Sequence, residues 1–232
     1  MPSKRYKKNA KLVEDLKSVP LKEAVALLAK FEKAKFNETV DLALRLGVDP
    51  KQSDQMVRGT VPLPHGSGKN VRVLVFAKPG ASAEAARQAG AEFVGFDDMI
   101  KKCSDGWVDF DVAVATPEAM VEVRKLGKVL GPRGLMPNPK TGTVTDDTAK
   151  AVKEVKAGRV EFKVDKAGNI HVPVGKASFT PEQIVDNARS VIDAVAKARP
   201  ASVKGIFIQS CAISATMSPP VRIDMREFQS AA

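Results

Sequence analysis

Between Val71 and Gly158 short apolar runs alternate with amphipathic stretches, and no other feature constrains the fold as tightly. "VRVLVFA", "AEFVGF" and "FDVAVA" are near-continuous apolar runs, while "SAEAARQAG", "DDMIKKC" and "TPEAMVEVRKLG" read as helices. Apolar strands joined through helices make a parallel sheet covered on both faces, because each crossover lays a helix against the sheet. Helix starts are marked by Ser82, by Asp97 and Asp98, and by Thr116 ahead of Pro117, where short polar side chains satisfy first-turn N–H groups. A last helix, "TDDTAKAVKEVKAG", closes the segment at Gly158. The segment reads as a complete doubly wound unit.

The flanks are different in texture. Up to residue 36 the chain reads as helical: "KLVEDL" is weakly amphipathic, and Ser18 with Pro20 predicts a cap for "LKEAVALLAKFEKA". "ETVDLALRLGV" then puts Val40, Leu42, Leu44 and Leu46 on one side, the period of a half-buried strand. A short strand near Arg58 to Leu63 follows, and "PLPHGSGKN" reads as a hinge. After the middle segment, "GRVEFKVDKAGNIHVPVG" predicts a hairpin and "SFTPEQIVDNARSVIDAVAKA" a helix capped by Thr180 with Pro181 in its first turn. Its buried stripe is Ile184, Ala188, Val191, Ile192 and Val195. "GIFIQSCAISATMSPPVRIDM" supplies two more strands suited to the sheet of the early ones. Each flank needs the other's strands, so the expectation is an α/β protein of two domains: an α+β domain of residues 1–67 plus 159–232, and an inserted doubly wound, Rossmann-like domain of 68–158. Gly66, Gly68 and Gly158 supply flexible crossings.

The net charge of +10 makes polyanions the first partners to consider. By segment it is +5 for residues 1–67, +2 for 68–158 and +3 for 159–232, so the domain built from the two ends carries the excess. Surplus lysine that merely aids solubility is the plainer reading. Cys103 and Cys211 lie in separate apolar contexts and the only histidines are His65 and His171, which argues against disulfides and metal chemistry and fits a reducing cytosol. No apolar run has the ~18 residues of a membrane span, and the basic N-terminus lacks an apolar export segment.

"GLMPNPKT", residues 134–141, departs from the phosphate-binding G-x-x-x-x-G-K-[ST] at Pro139 alone. A phosphate cradle needs successive N–H donors and an immediate helix start. Pro137 and Pro139 have no N–H, and "TGTVT" separates Lys140 from the next helix pattern. The expectation is a stiff loop whose Lys128, Arg133 and Lys140 face something anionic or solvent. Asp97, Asp98, Asp109 and Asp111 read as capping and turn residues rather than a catalytic cluster. An enzyme using nucleotides on the doubly wound unit is the alternative.

Two stretches suit RNA. In "KAKFNET", Lys35 can meet phosphate, Phe36 can stack or simply pack in a core, and Thr39 can bond a ribose hydroxyl. In "SATMSPP", Thr216 and Met217 sit where a strand ends and a nucleic-acid backbone could approach. His171 is either a plain strand residue or an RNA contact.

"LGKVLGPRGLMPNPKTGTV" resembles the signature of the bacterial large-subunit ribosomal protein L-one family, and "AKFNETVDLALRLGVDPKQSDQMVRGTVPLPHGSGK", "DGWVDFDVAVATPEAM", "KAGRVEFKVDKAGNIHVPVGKASF" and "TMSPPVRID" resemble its other blocks. The resemblance spans nearly the whole chain. It implies a non-enzymatic cytoplasmic protein of the large ribosomal subunit, monomeric when free, without cofactor or metal. It further implies binding to the mobile stalk of 23S rRNA near the E site, assistance to release of E-site tRNA, and repression of its own operon mRNA. Carried onto this chain, the RNA surface comprises Lys35, Phe36, Thr39, Lys163, Asp165, His171, Ser210, Thr216, Met217 and Ser218. Arg133 and Lys140 would lie on a loop facing tRNA or solvent. The family usually has glycine where Ser218 stands, so a Cβ is added where backbone would lie against RNA.

Overall fold

The computed structural model describes residues 3–229. In order the elements are α1 (Lys4–Lys11), α2 (Leu21–Lys30), β1 (Thr39–Leu46), β2 (Arg58–Pro62), β3 (Val73–Phe76), α3 (Ala81–Gln88), β4 (Phe93–Gly95), α4 (Asp97–Ser104) and β5 (Val112–Ala115). They continue with α5 (Pro117–Val123), α6 (Gly127–Leu130), α7 (Thr148–Lys156), β6 (Arg159–Lys163), β7 (Asn169–Lys176), α8 (Pro181–Lys197), β8 (Ile208–Ala215), β9 (Val221–Ile223) and α9 (Arg226–Gln229). The chain is mixed α/β, and it divides into two compact units: residues up to Gly68 with those from Val160 onward, and Lys69–Arg159.

In the first unit β7, β1, β8 and β9 form one antiparallel sheet in that order. The period of β1 does what it should: Val40, Leu42, Leu44 and Leu46 are buried, while Arg45 between the last two is exposed. Helices α2 and α8 cover that apolar face. Thr180 caps α8 in a full capping box with Gln183, and all five residues of the expected stripe are buried. Ile192 is fully buried, so Ile192→Ala would cost about 2–5 kcal/mol.

Four expectations for this unit need correction. "KLVEDL" is not the first helix; α1 starts earlier, capped by Ser3, whose hydroxyl accepts the Tyr6 N–H. Ser18 does not cap α2, which has no side-chain cap. The reason is that Val19 is drawn to β9 instead, donating to Arg222 O at 3.1 Å and accepting from Asp224 N at 2.9 Å. Helix α2 also stops at Lys30, because Asn9 takes both backbone groups of Glu32 out of the helical ladder. Finally, β6 and β7 are not a hairpin: β6 pairs with β2 and β7 with β1. Alternation identified the strands but carries no record of which partner each one takes.

In the second unit β3 lies between β4 and β5, all parallel, with separate apolar clusters on its two faces. Thr116 caps α5 through the Ala119 N–H, as its place before Pro117 predicts. Ser82 is not a cap; Gly80 holds that position, and Ser82 lies inside α3. Asp97 and Asp98 are in the first turn of α4, behind Phe96. Gly66, Gly68 and Gly158 all have positive φ, 71°, 68° and 100°. A Cβ on Gly68 would come within 2.9 Å of the Lys176 side chain, so glycine is required there on two counts.

Candidate nucleic-acid interface

One end of the four-stranded sheet gathers residues from both chain ends. Thr216, just beyond β8, donates its N–H to Thr39 O at 3.0 Å; its hydroxyl accepts the Thr39 N–H at 3.0 Å and donates to Thr39 O at 3.2 Å. The Thr39 hydroxyl in turn accepts from Lys176 Nζ at 2.8 Å. Thr216 therefore spends its hydroxyl inside the protein. It fastens the turn that follows to the start of β1, a different role from the direct RNA contact expected of it.

That turn presents Met217. It is the one non-glycine residue among those described with positive φ, 60°, and it is 72% exposed. A side chain held in a left-handed conformation and in water is strained without packing return. Phe36, 53% exposed, is the other large apolar group at this end, so the core reading of Phe36 fails. Lys35 and Asn37 beside it are exposed.

Beneath both lies an ion pair that sequence reasoning missed. Glu38 is 3% exposed and accepts from Arg5 Nη1 at 2.6 Å and from the Ala34 N–H at 2.7 Å. Arg5 also donates to Met217 O at 3.2 Å and to Glu32 O at 3.3 Å. One buried carboxylate thus organises the turn carrying Lys35 and Phe36, and through Arg5 it reaches the turn carrying Met217. A lone Arg in a basic N-terminus gives no sequence signal for such a role.

Ser218 has a role inside the free protein. Its backbone is not left-handed, and its hydroxyl accepts Ala215 N at 3.0 Å and donates to Ala215 O at 2.8 Å. The serine closes the turn, so no backbone feature there calls for glycine.

The remaining expected residues lie further along the unit. His171 and Ser210 are both exposed on the sheet face away from the helices, opposite Ala43 and Arg45 of β1 respectively. Lys163 ends β6 and is exposed. Asp165 organises the turn into β7, its carboxylate accepting the N–H groups of Asn169 at 2.7 Å and Ala167 at 2.8 Å. The Asn169 bond above all holds this carboxyl below the usual range. Asp165 is a turn former, and acceptance of those bonds leaves it poorly suited to meet phosphate.

In the second unit the near-P-loop fails as a cradle. Leu135, Thr141, Gly142 and Thr143 all direct their N–H groups to backbone carbonyls of the loop and of α6. Thr141 and Thr143 hydroxyls close on Asn138, and Lys140 lies in a single 3-10 turn rather than at a helix start. The Lys140 side chain lies outside the described part of the structure; Arg133 is exposed. The cavity at the ends of β3 and β4, about 390 Å³, is lined by Glu84, Asp97 and Asp98 against a single Arg87, a net negative lining that disfavours a nucleotide's phosphates. Asp109 and Asp111 pair with Arg72. Among the described residues there is no cluster of three His, Cys, Asp or Glu fit for a metal, and no helix long and apolar enough to cross a membrane. Cys211 is buried and its thiol is pushed up to about 12 by desolvation.

An exposed sheet face, the apolar side chains of Met217 and Phe36 in water at one end of it, and an excess of basic charge are the marks of a nucleic-acid-binding surface. Residues 28–219 match the family described as Ribosomal protein L1p/L10e, and the chain belongs to that family. It is 54% identical to the large ribosomal subunit protein uL1 of Lactiplantibacillus plantarum over 97% of this chain and 98% of that one. It is 56% identical to the large ribosomal subunit protein uL1 of Solidesulfovibrio magneticus, over 97% of this chain and 96% of that one. The protein is a ribosomal protein and not an enzyme.

Proposed function

We propose that this protein is a cytoplasmic structural constituent of the large ribosomal subunit that binds the mobile stalk of 23S rRNA directly. The RNA-binding domain is the one built from both chain ends, with the doubly wound domain inserted in it. The observation that carries this reading is the Thr39–Thr216 staple, which sets Met217 exposed and left-handed at the same sheet end as exposed Phe36 and Lys35. Met217 and Phe36 supply apolar contact to sugar and base faces, Lys35 meets phosphate, and Ser210, His171 and Lys163 extend the contact. Thr39, Thr216, Ser218 and Asp165 hold the surface in shape. Near the E site the same protein assists release of E-site tRNA, with Arg133 and Lys140 on the tRNA side. When free it is a monomer that represses translation of its own operon mRNA by binding a copy of the stalk structure. The test is binding to a stalk transcript: Met217→Ala and Thr216→Ala should each weaken it with the fold intact. Wild-type affinity in both variants would mean that another face binds.

A further inference from the structure

The open face of the four-stranded sheet carries cations that pair with no carboxylate among the described residues. Arg45 of β1 is exposed and lies opposite Ser210 of β8. Two residues along β8, Ala212 lies opposite Arg222 of β9, also exposed. On the other side Ala43 lies opposite His171 of β7. Beyond β9 the Val19 bridge brings Lys17 up, and Lys17, Ser210 and Arg222 share a groove of about 450 Å³. Among the described residues the side chains of Arg45, Arg222 and Lys17 have no hydrogen bond or ion pair, whereas Arg5, Arg58 and Arg72 each face a carboxylate.

Two acidic groups border this line. Asp41 is on the same face but opposite Pro173 and Ser214, toward the Thr39 end. Asp224, just past β9, lines the same groove as Lys17 and Arg222, pairs with neither of them, and accepts the Arg226 N–H. The residues between the cations, Ala43, Ala212 and Ser210, are small, so a backbone can lie flat on the sheet.

We propose that Arg45, Arg222 and Lys17 form, with His171 and Ser210, a track for the phosphates of bound RNA that crosses all four strands. It rests on the RNA reading above and extends it from the Met217 end to the sheet's far edge. Arg45 and Arg222 are two strands and two residues apart, ~12 Å between Cα atoms at ordinary strand spacing, within reach of neighbouring phosphates for two extended guanidinium groups. Because neither leaves a protein partner to meet phosphate, the full attraction goes to the RNA. An acidic protein would also suit three cations, but the same sheet ends in the exposed apolar side chains of Phe36 and Met217, which suit sugars and bases.

The test is the salt dependence of binding to a 23S rRNA stalk transcript. Each lost phosphate contact should lower the slope of log K against log salt by about 1. Arg45→Ala with Arg222→Ala should therefore flatten it by about 2 and weaken binding about ten-fold or more at moderate salt. Arg45→Lys with Arg222→Lys should keep the slope. A wild-type slope and affinity in the double alanine variant, with Met217→Ala still weakening binding, would overturn the track alone. Failure of the wild-type protein to bind the transcript would overturn the RNA reading itself.

Discussion

Arg5 donates to the carbonyl oxygen of Met217 at 3.2 Å, across 212 residues of sequence, while its other nitrogen holds the buried carboxylate of Glu38. The first helix and the last turn before β9 are thereby one piece. Arg5→Ala would leave Glu38 buried with only the Ala34 N–H, at a cost of about 3 kcal/mol, since breaking a buried pair strands a charge. Binding to stalk RNA should fall as well, although Arg5 need not touch RNA. Chemical denaturation and a binding titration on Arg5→Ala and Glu38→Gln measure both effects, and wild-type stability in Arg5→Ala would contradict the assignment.

Met217 separates stability from function. Its left-handed backbone costs roughly 1–2 kcal/mol that glycine would not incur, against ~0.4–1 kcal/mol of extra freedom glycine gives the unfolded chain. With its side chain in water, Met217→Gly should leave the protein about as stable or up to ~1.6 kcal/mol more so, yet weaken RNA binding. A clear loss of stability would show that the side chain packs in the free protein.

Ser218→Gly introduces the residue that the resemblance leads one to expect at this position, and it should not improve this protein. It removes the hydroxyl's two bonds to Ala215 and loosens the unfolded chain, for a loss of about 1–2 kcal/mol. Thermal unfolding decides it; a gain in both stability and affinity would show that the serine distorts the turn.

Most of the fold could be read from periodicity and capping. The stripe of α8, the Thr180 and Thr116 caps and the alternation in β1 are local signals, and local chemistry settles them. Two misread places are those where a distant partner overrides local preference: Ser18, displaced as a cap when Val19 joins β9, and the "DKAGN" turn, whose strands pair elsewhere; Ser82 is a boundary slip, two residues past the true cap position at Gly80. The site shows the same division. Phe36 and Met217 are recognisable types in recognisable places, but the internal duty of Thr216 and the Arg5–Glu38 pair depend on contacts that no spacing encodes.

The Arg72–Asp111 pair gives a pH dependence of known sign. Hydrogen bonding to Arg72 holds the Asp111 carboxyl below its ordinary value. The stabilisation is therefore present above the unfolded value, near 4, and is lost as pH falls through the folded one. Both side chains are about half exposed, 45% and 47%, so screening keeps the effect small. Asp111→Asn should lower the melting temperature slightly at pH 7 and flatten its decline between about pH 5 and 2. An unchanged acid profile would mean that the pair does not persist in solution.

The central claim is that the surface ending at Met217 recognises one RNA shape rather than polyanions in general. The direct measurement is competition at moderate salt between a 23S rRNA stalk transcript and a duplex RNA of equal length and unrelated structure. The stalk should win by about 10³-fold or more, as specific complexes do over non-specific ones, and Met217→Ala should shrink that ratio. Equal affinity for the two RNAs, or a ratio untouched by Met217→Ala, would contradict the account.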